Sequence, residues 1–193
     1  MLGFISKIFG GSKSEKDVKK LQPRVVQINR FYDSYQSLTN DELRNKTLEF
    51  RQRIKEHLSS IDDEIAAANK KADELLFNDL MGKDTVYQEV DKLKKDRDKK
   101  IEEILDEIHS EAFAVVKETA RRFKENTELV STATQHDRDL SVEKDYIRIE
   151  GDTSVYKNSW TAGGGAITWN MLHYDVQLIG GTVLHEGKIA EMA

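Results

Sequence analysis

Two apolar stripes at helical spacing constrain the fold of this chain more than any other feature. Their members recur every three or four residues, at Phe50, Ile54, Leu58, Ile61 and Ile65, and at Val86, Val90, Leu93, Ile101, Ile104 and Ile108, with polar Arg97 at the position between Leu93 and Ile101. Residues at this spacing share one helix face, so each stripe predicts a long amphipathic helix. A polar break at Asn78–Asp84, which contains Gly82, separates them. The pattern predicts an antiparallel helical hairpin, with residues 50–75 packed against 86–110.

Composition supports long solvated helices and excludes several classes of protein. Charged residues make up 34% of the 193 residues, and Pro23 is the single proline. The 30 basic and 35 acidic residues are intermixed and give a net charge of -5, so no basic face for nucleic acid is expected. The absence of cysteine excludes disulfides, thiolate zinc sites and cysteine nucleophiles. No apolar run approaches the roughly 18 residues of a membrane span, and the short segment Met1–Phe9 does not resemble a secretory signal.

The first residues carry a short amphipathic pattern. Met1, Phe4, Ile5, Ile8 and Phe9 fall on one stripe, and several lysines follow from Lys13 onward. The segment can be interpreted as a terminus docked on the core or as an anchor lying on anionic lipid. Periodicity alone favours the docked terminus, since so short a stripe buries little area.

Helix starts are predicted at two places in the first forty residues. Ser14–Asp17 resembles a capping box and precedes an apolar face of Val18, Leu21, Val25, Ile28 and Tyr32, in which Pro23 predicts a kink or a later start. Thr39–Glu42 is a stronger start signal, because the Thr39 hydroxyl can cap an amide while Glu42 reaches back.

Residues 124–169 have the alternation of β-strands instead. Strands are expected at 146–149 and 153–156 around a Gly151-Asp152 turn, and after Gly163–Gly165 towards Trp169, with 127–135 as a possible further strand. The stretch 136–139, His-Asp-Arg-Asp, is interpreted as a polar loop that could in principle hold a cation. The expected fold is therefore mainly α with an inserted helical hairpin and a small antiparallel β-meander, α+β overall.

Three segments carry a resemblance to a known family. They are Leu-Thr-Asn-Asp-Glu-Leu-Arg-Asn-Lys-Thr-Leu-Glu-Phe-Arg-Gln-Arg at 38–53, Glu-Ala-Phe-Ala-Val-Val-Lys-Glu-Thr-Ala-Arg-Arg-Phe at 111–123, and the end of the chain, 171–193, with Tyr-Asp-Val-Gln and Ile-Ala-Glu-Met. Together they resemble the amino-terminal part of the SecA preprotein translocase ATPases. The resemblance implies that Tyr-Asp-Val-Gln is the adenine-reading Q motif and that 188–192 is a strand. It places the phosphate-binding Gly-x-Gly-Lys-Thr loop just past Ala193.

The resemblance also implies site residues. Met171 and Tyr174 would pack on adenine, and Gln177 would read it, since a glutamine amide can complement the N6 and N7 edge of adenine. The residues alone leave open that Tyr174 and Gln177, one helix turn apart, simply cap a core. A membrane contact is implied for Met1, Phe4, Ile5, Ile8 and Phe9 together with Lys7 and Lys13. No catalytic residue and no metal site is expected.

The matching and unmatched segments suggest a domain organisation. We expect an amphipathic segment at 1–12, family-like helices at 13–58 and 107–123, inserts at 59–106 (helical) and 124–169 (β), and the Q-motif segment at 170–193. Neither Gly163–Gly165 nor Gly180-Gly181 has the context of a phosphate-binding loop. The chain by itself is therefore expected to hold no cofactor and to lack ATPase activity.

The family resemblance implies a function for the parent protein. SecA proteins use ATP and Mg to push secretory preproteins through the SecY channel, so the implied partners are a SecY-type translocon, anionic lipid and preprotein. The implied location is cytoplasmic, peripheral at the inner face of the bacterial plasma membrane. Two alternatives remain, a stand-alone helical interaction module and a different helicase-like ATPase. Self-association is expected through an apolar surface of Val176, Leu178, Ile179, Val183 and Leu184.

Overall fold

The computed structural model describes residues 13–75 and 79–191 of the chain. Its helices are α1 (Lys13–Tyr35), α2 (Asn40–Glu74), α3 (Leu80–Glu125), α4 (Gln135–Glu143) and α5 (Asp175–His185). Its strands are β1 (Glu128–Thr132), β2 (Ile147–Glu150), β3 (Thr153–Lys157), β4 (Ser159–Ala162) and β5 (Gly165–Thr168). The predicted fold class, mainly α with a small antiparallel β part, is confirmed.

The chain divides into two compact units. One contains the described residues of 1–44 together with 110–191, and the other is Asn45–His109. None of the described helices combines the length and the apolar character needed to cross a bilayer. The amphipathic segment expected at 1–12 lies outside the described residues.

The unit at 45–109 is the helical hairpin that the two stripes predict. Ion pairs of Arg53 with Glu107 (2.6 Å) and Asp62 with Arg97 (2.5 Å) show the antiparallel direction, because partners on α3 descend as those on α2 ascend. The seam buries Phe50, Leu58, Ile61, Ala68, Ala72, Val86, Val90, Ile104 and Ile108. The break between the two helices of the hairpin was expected at 78–84. It lies earlier in the chain, because α3 already begins at Leu80. The Asp79 carboxylate accepts a hydrogen bond from the Gly82 amide at 2.9 Å and so caps the helix that Gly82 was expected to interrupt.

The unit that contains residues 13–44 and 110–191 has its core where α1 and α5 pack around the second half of α3. Its buried members are Val25, Ile28, Tyr35, Leu43, Ala114 and Leu178. The helix α1 neither ends nor restarts at Pro23, contrary to one expectation. The start signal at Thr39 is confirmed: its hydroxyl accepts from the Glu42 amide at 3.2 Å, and the Glu42 carboxylate accepts from the Thr39 amide at 2.7 Å.

Residues 124–169 form the β subdomain, in which all strands pair antiparallel. A three-stranded sheet has the order β1-β3-β2, and β4 pairs with β5 in a separate hairpin. The turn of that hairpin uses Gly163 and Gly164 at positive φ, 58° and 81°. The strand expected within 127–135 is β1. The polar loop expected at 136–139 is instead part of α4, where Asp137 is buried, and no described cluster of three acidic or histidine side chains could hold a metal.

Two expectations about the end of the chain are corrected. Residues 188–191 lie in no strand, since no described strand lies beside them to provide hydrogen bonds. The expected apolar surface of α5 is smaller than predicted, because Leu178 is buried and Ile179 packs on the core. Val176 and Leu184 remain exposed. The helix packs closely at Gly181, because a Cβ there would lie 2.8 Å from Cε1 of Phe113.

Candidate functional site

The segment 169–174 positions the residues predicted to read adenine. It runs without regular secondary structure from the end of β5 to the start of α5. The indole Nε1 of Trp169 donates to the carbonyl oxygens of Ala120 (3.1 Å) and Met171 (3.0 Å), and its backbone amide donates to the Asn158 carbonyl at 2.8 Å. One tryptophan therefore holds the segment to both α3 and the β subdomain.

Met171, Tyr174 and Gln177 lie at or just before the start of α5 with their side chains accessible. Tyr174 is 74% exposed and Met171 is 52% exposed. The Gln177 Oε1 accepts a hydrogen bond from the Tyr174 amide at 2.9 Å, so this side chain caps the first turn of α5. An amide oxygen has a second lone pair, and the Nε2 group keeps its donors. The cap fixes the orientation of Gln177 and leaves atoms available to complement a purine edge.

A buried lysine anchors the same end of α5. The Lys117 ammonium, 10% exposed, donates to Asn29 Oδ1 at 2.7 Å and lies 3.8 Å from Asp175 Oδ1. Asn29 Nδ2 donates to that same Asp175 oxygen at 3.0 Å, and the ring of Tyr32 lies 5.0 Å from the ammonium. A carboxylate in the first turn also interacts favourably with the helix dipole. These contacts could not be predicted from the sequence, because Asn29, Lys117 and Asp175 are distant from one another in the chain.

His173 lies within this segment and is half-buried. Burial lowers the pKa of His173, and the positive charge of Lys117 lowers that pKa further, so the imidazole is neutral at neutral pH. Its Nδ1 is buried with no hydrogen-bond partner among the described residues.

A buried carboxylate fastens the β subdomain to the start of α2. Asp137, fully buried, accepts from Arg44 Nη2 at 2.5 Å, from the Tyr156 hydroxyl and from the Thr134 amide at 2.8 Å. Burial alone raises the pKa of Asp137, but the hydrogen bonds from Arg44, Tyr156 and Thr134 outweigh it and hold that pKa well below its usual range. Burial and the adjacent Asp137 charge raise the pKa of Tyr156. The signal for this site was the Thr134-x-x-Asp137 capping box, in a stretch interpreted as strand and loop.

A second buried carboxylate joins α3 to the α1–α2 connection. Glu118, fully buried, accepts from Arg121 Nη2 at 2.7 Å and from Arg122 Nε at 2.8 Å. Arg122 in turn donates to the carbonyls of Tyr35 (3.1 Å) and Leu38 (2.7 Å). Burial opposes ionisation, yet the two guanidinium groups lower the pKa of Glu118 overall. This network is structural, since every polar group in it has a partner within the protein.

Almost all of the residues predicted to contact the membrane lie in a part of the chain that the structure does not describe. Met1, Phe4, Ile5, Lys7, Ile8 and Phe9 lie outside the described residues, and Lys13 is the first residue of α1. The described site therefore consists of the residues predicted to read adenine and the side chains that hold them.

Comparison with known proteins identifies close relatives. A curated protein translocase subunit SecA from Christiangramia forsetii is 48% identical over 191 residues, which is 99% of this chain and 17% of the relative. SecA subunits from Flavobacterium psychrophilum and Porphyromonas gingivalis are 49% and 48% identical over 97% and 98% of the chain, again 17% of each relative. These alignments run through both segments interpreted as inserts, so these relatives contain both segments. No solved structure matches the chain.

A family model extends this similarity across the chain. The model described as the SecA DEAD-like domain matches residues 5–193. The matched relatives are about six times longer than the chain, so it corresponds to an amino-terminal part of them. The chain belongs to the SecA DEAD-like domain family.

Proposed function

We propose that this chain supplies the adenine-reading part of a SecA-type ATPase that moves secretory preproteins through a SecY-type channel. The observation that carries the proposal is the arrangement at the start of α5. An accessible tyrosine ring and a glutamine amide of fixed orientation lie side by side there, as recognition of a purine requires.

The anchoring network supports the same proposal. A reading group discriminates well only if its supporting side chains hold it rigidly. The contacts of Lys117, Asn29 and Asp175 fix the backbone that presents Gln177. The indole of Trp169 does the same for Met171.

In the parent protein, ATP with Mg is the proposed cofactor. The phosphates would need a run of backbone amides followed by a lysine, and neither glycine cluster of this chain provides it. We therefore expect residues 1–193 to bind ATP no more tightly than adenosine and to release no phosphate above a buffer blank. Contact with anionic lipid through residues 1–13, and a location at the inner face of the plasma membrane, belong to the same proposal.

Nuclear magnetic resonance tests the proposal directly. In a titration of 15N-labelled chain with adenosine, the amides of Tyr174 and Gln177 should shift in a saturable manner, and ATP should give the same dissociation constant. Gln177→Ala should weaken adenosine binding, whereas exposed Gln88→Ala in the helical hairpin should not. Saturable shifts confined to other residues, or an equal response of both variants, would contradict the proposal.

A further inference from the structure

A cavity of about 590 Å³ lies between α3 and the β subdomain. All its lining residues belong to the unit that contains 110–191. Small-molecule sites have volumes of roughly 300–1,000 Å³, so the cavity has the size of a ligand site. It is distinct from the proposed adenine site, because neither Met171 nor Tyr174 lines it.

The lining favours a ligand with an aromatic ring body. Five of its side chains are aromatic: Phe123, Tyr146, Tyr156, Trp160 and Trp169. Aromatic walls interact with a ring through offset or edge-to-face contacts that an aliphatic chain does not make. The indole of Trp169 is already held by two carbonyl oxygens, so that wall is in place before a ligand binds.

The charges of the lining favour an anion. Lys157 is exposed, lines the cavity and has no ion-pair partner among the described residues, and no lining side chain is a carboxylate. Glu128, which lies opposite Lys157 in the sheet, is held by Arg148 at 2.6 and 2.9 Å. His173 also lines the cavity, and burial and the charge of Lys117 lower its pKa, which favours the neutral imidazole.

One wall atom also lacks a partner. The Nδ1 of His173 is buried without a hydrogen bond among the described residues. Buried polar atoms in native proteins are nearly always paired, with protein groups or with ordered water, so this Nδ1 is available to a polar group of a ligand. We propose that this cavity binds a small organic anion with an aromatic ring body, its rings against Trp160 and Trp169 and its charge at Lys157.

Fluorescence of the native chain tests the proposal, because the only two tryptophans of the sequence both line the cavity. The anionic probe is 8-anilinonaphthalene-1-sulfonate, and N-phenyl-1-naphthylamine is its neutral analogue without the sulfonate. The anionic probe should quench tryptophan emission saturably with one-to-one stoichiometry, and 2-naphthoate should displace it whereas decanoate at equal concentration should not. Unchanged near-ultraviolet circular dichroism would show that the probe binds the folded state.

Charge reversal distinguishes the cavity from the general surface. Lys157→Glu should weaken binding of the anionic probe by about 2- to 5-fold, the range expected for one exposed charge contact, and leave the neutral probe unaffected. Lys144→Glu, an equally exposed change outside the lining, should alter neither affinity. The proposal is overturned if quenching does not saturate, if both probes bind equally, if decanoate competes as well as 2-naphthoate, or if the two variants weaken binding to the same extent.

Discussion

Replacement of Asp137 by asparagine should destabilise the unit that contains the β subdomain. Asp137 is fully buried and accepts hydrogen bonds at both carboxylate oxygens, from Arg44 and Tyr156 on one and from Thr134 on the other. Asparagine has a single acceptor oxygen, so its NH2 group must face a donor on one side or the other.

The size of the destabilisation depends on which partner of Asp137 loses its hydrogen bond. Breaking a buried ion pair by removing one partner costs about 3–5 kcal/mol when the remaining charge is also buried. The Arg44 side chain is 34% exposed and regains water, which reduces the cost to about 2–3 kcal/mol. For a chain of this size each kcal/mol lowers Tm by about 2–4 °C, so the expected fall is about 4–12 °C.

Tryptophan emission is the appropriate assay, because both tryptophans lie in the affected unit. Asp139→Asn is the matched control: Asp139 is an exposed residue of the same helix whose contact is with Gln135 at 2.8 Å, and we expect a change below about 0.5 kcal/mol. Equal midpoints for Asp137→Asn and Asp139→Asn would refute the reasoning.

The loss of stability caused by Asp137→Asn should depend on pH. The pKa of Asp137 is lowered in the folded state, so its contribution is complete above the unfolded value of about 3.9 and is lost as pH falls through the folded value. The stability difference between the native chain and Asp137→Asn should therefore be constant from about pH 7 to pH 5 and shrink below about pH 4. A difference that grows on acidification would contradict this assignment.

Four further outcomes can be measured separately. In the hairpin, Leu58→Ala should lower the free energy of unfolding by about 2–4 kcal/mol and the exposed Leu48→Ala by less than about 0.5, as measured by chemical denaturation. A chain in which residues 60–105 are replaced by a short turn should keep its tryptophan emission maximum, and a shift to the value in denaturant would show that the hairpin is needed for the fold. Lys117→Met should weaken adenosine binding without changing its stoichiometry, and unaltered affinity would remove Lys117 from the positioning network. Vesicles with anionic lipid should retain the chain at low salt and release it at high salt, and Phe4→Asp should abolish this retention. Equal retention of the chain on neutral vesicles would contradict a contact with anionic lipid.

The helical part of the fold was predictable because its signals are local and repeated. The stripe spacing predicted both helices of the hairpin, and the Thr39 capping box predicted the start of α2. The end of the turn was misplaced because Gly82 was interpreted as a helix breaker, whereas the signal that matters is the capping carboxylate of Asp79.

The missed features depend on contacts between distant residues. In the sequence, Asp137 is one of several charged residues in a polar stretch. Its burial as a carboxylate depends on the hydrogen bond from Arg44, which lies 93 positions earlier. Lys117 belongs to a segment quoted for its family resemblance, but its partners Asn29 and Asp175 cannot be paired from periodicity. The cavity likewise requires the β subdomain to pack on α3, and strand alternation does not determine that arrangement.

The discrimination between adenosine and inosine tests the central claim most directly. Inosine carries a carbonyl where adenosine has the N6 amine, so the Gln177 amide loses its complementary partner. A bidentate contact of this kind provides about 1–3 kcal/mol of discrimination. By nuclear magnetic resonance titration, the native chain should bind adenosine at least about fivefold more tightly than inosine, and Gln177→Ala should bind both equally. Equal affinities in the native chain, or a preference that survives in Gln177→Ala, would contradict the account.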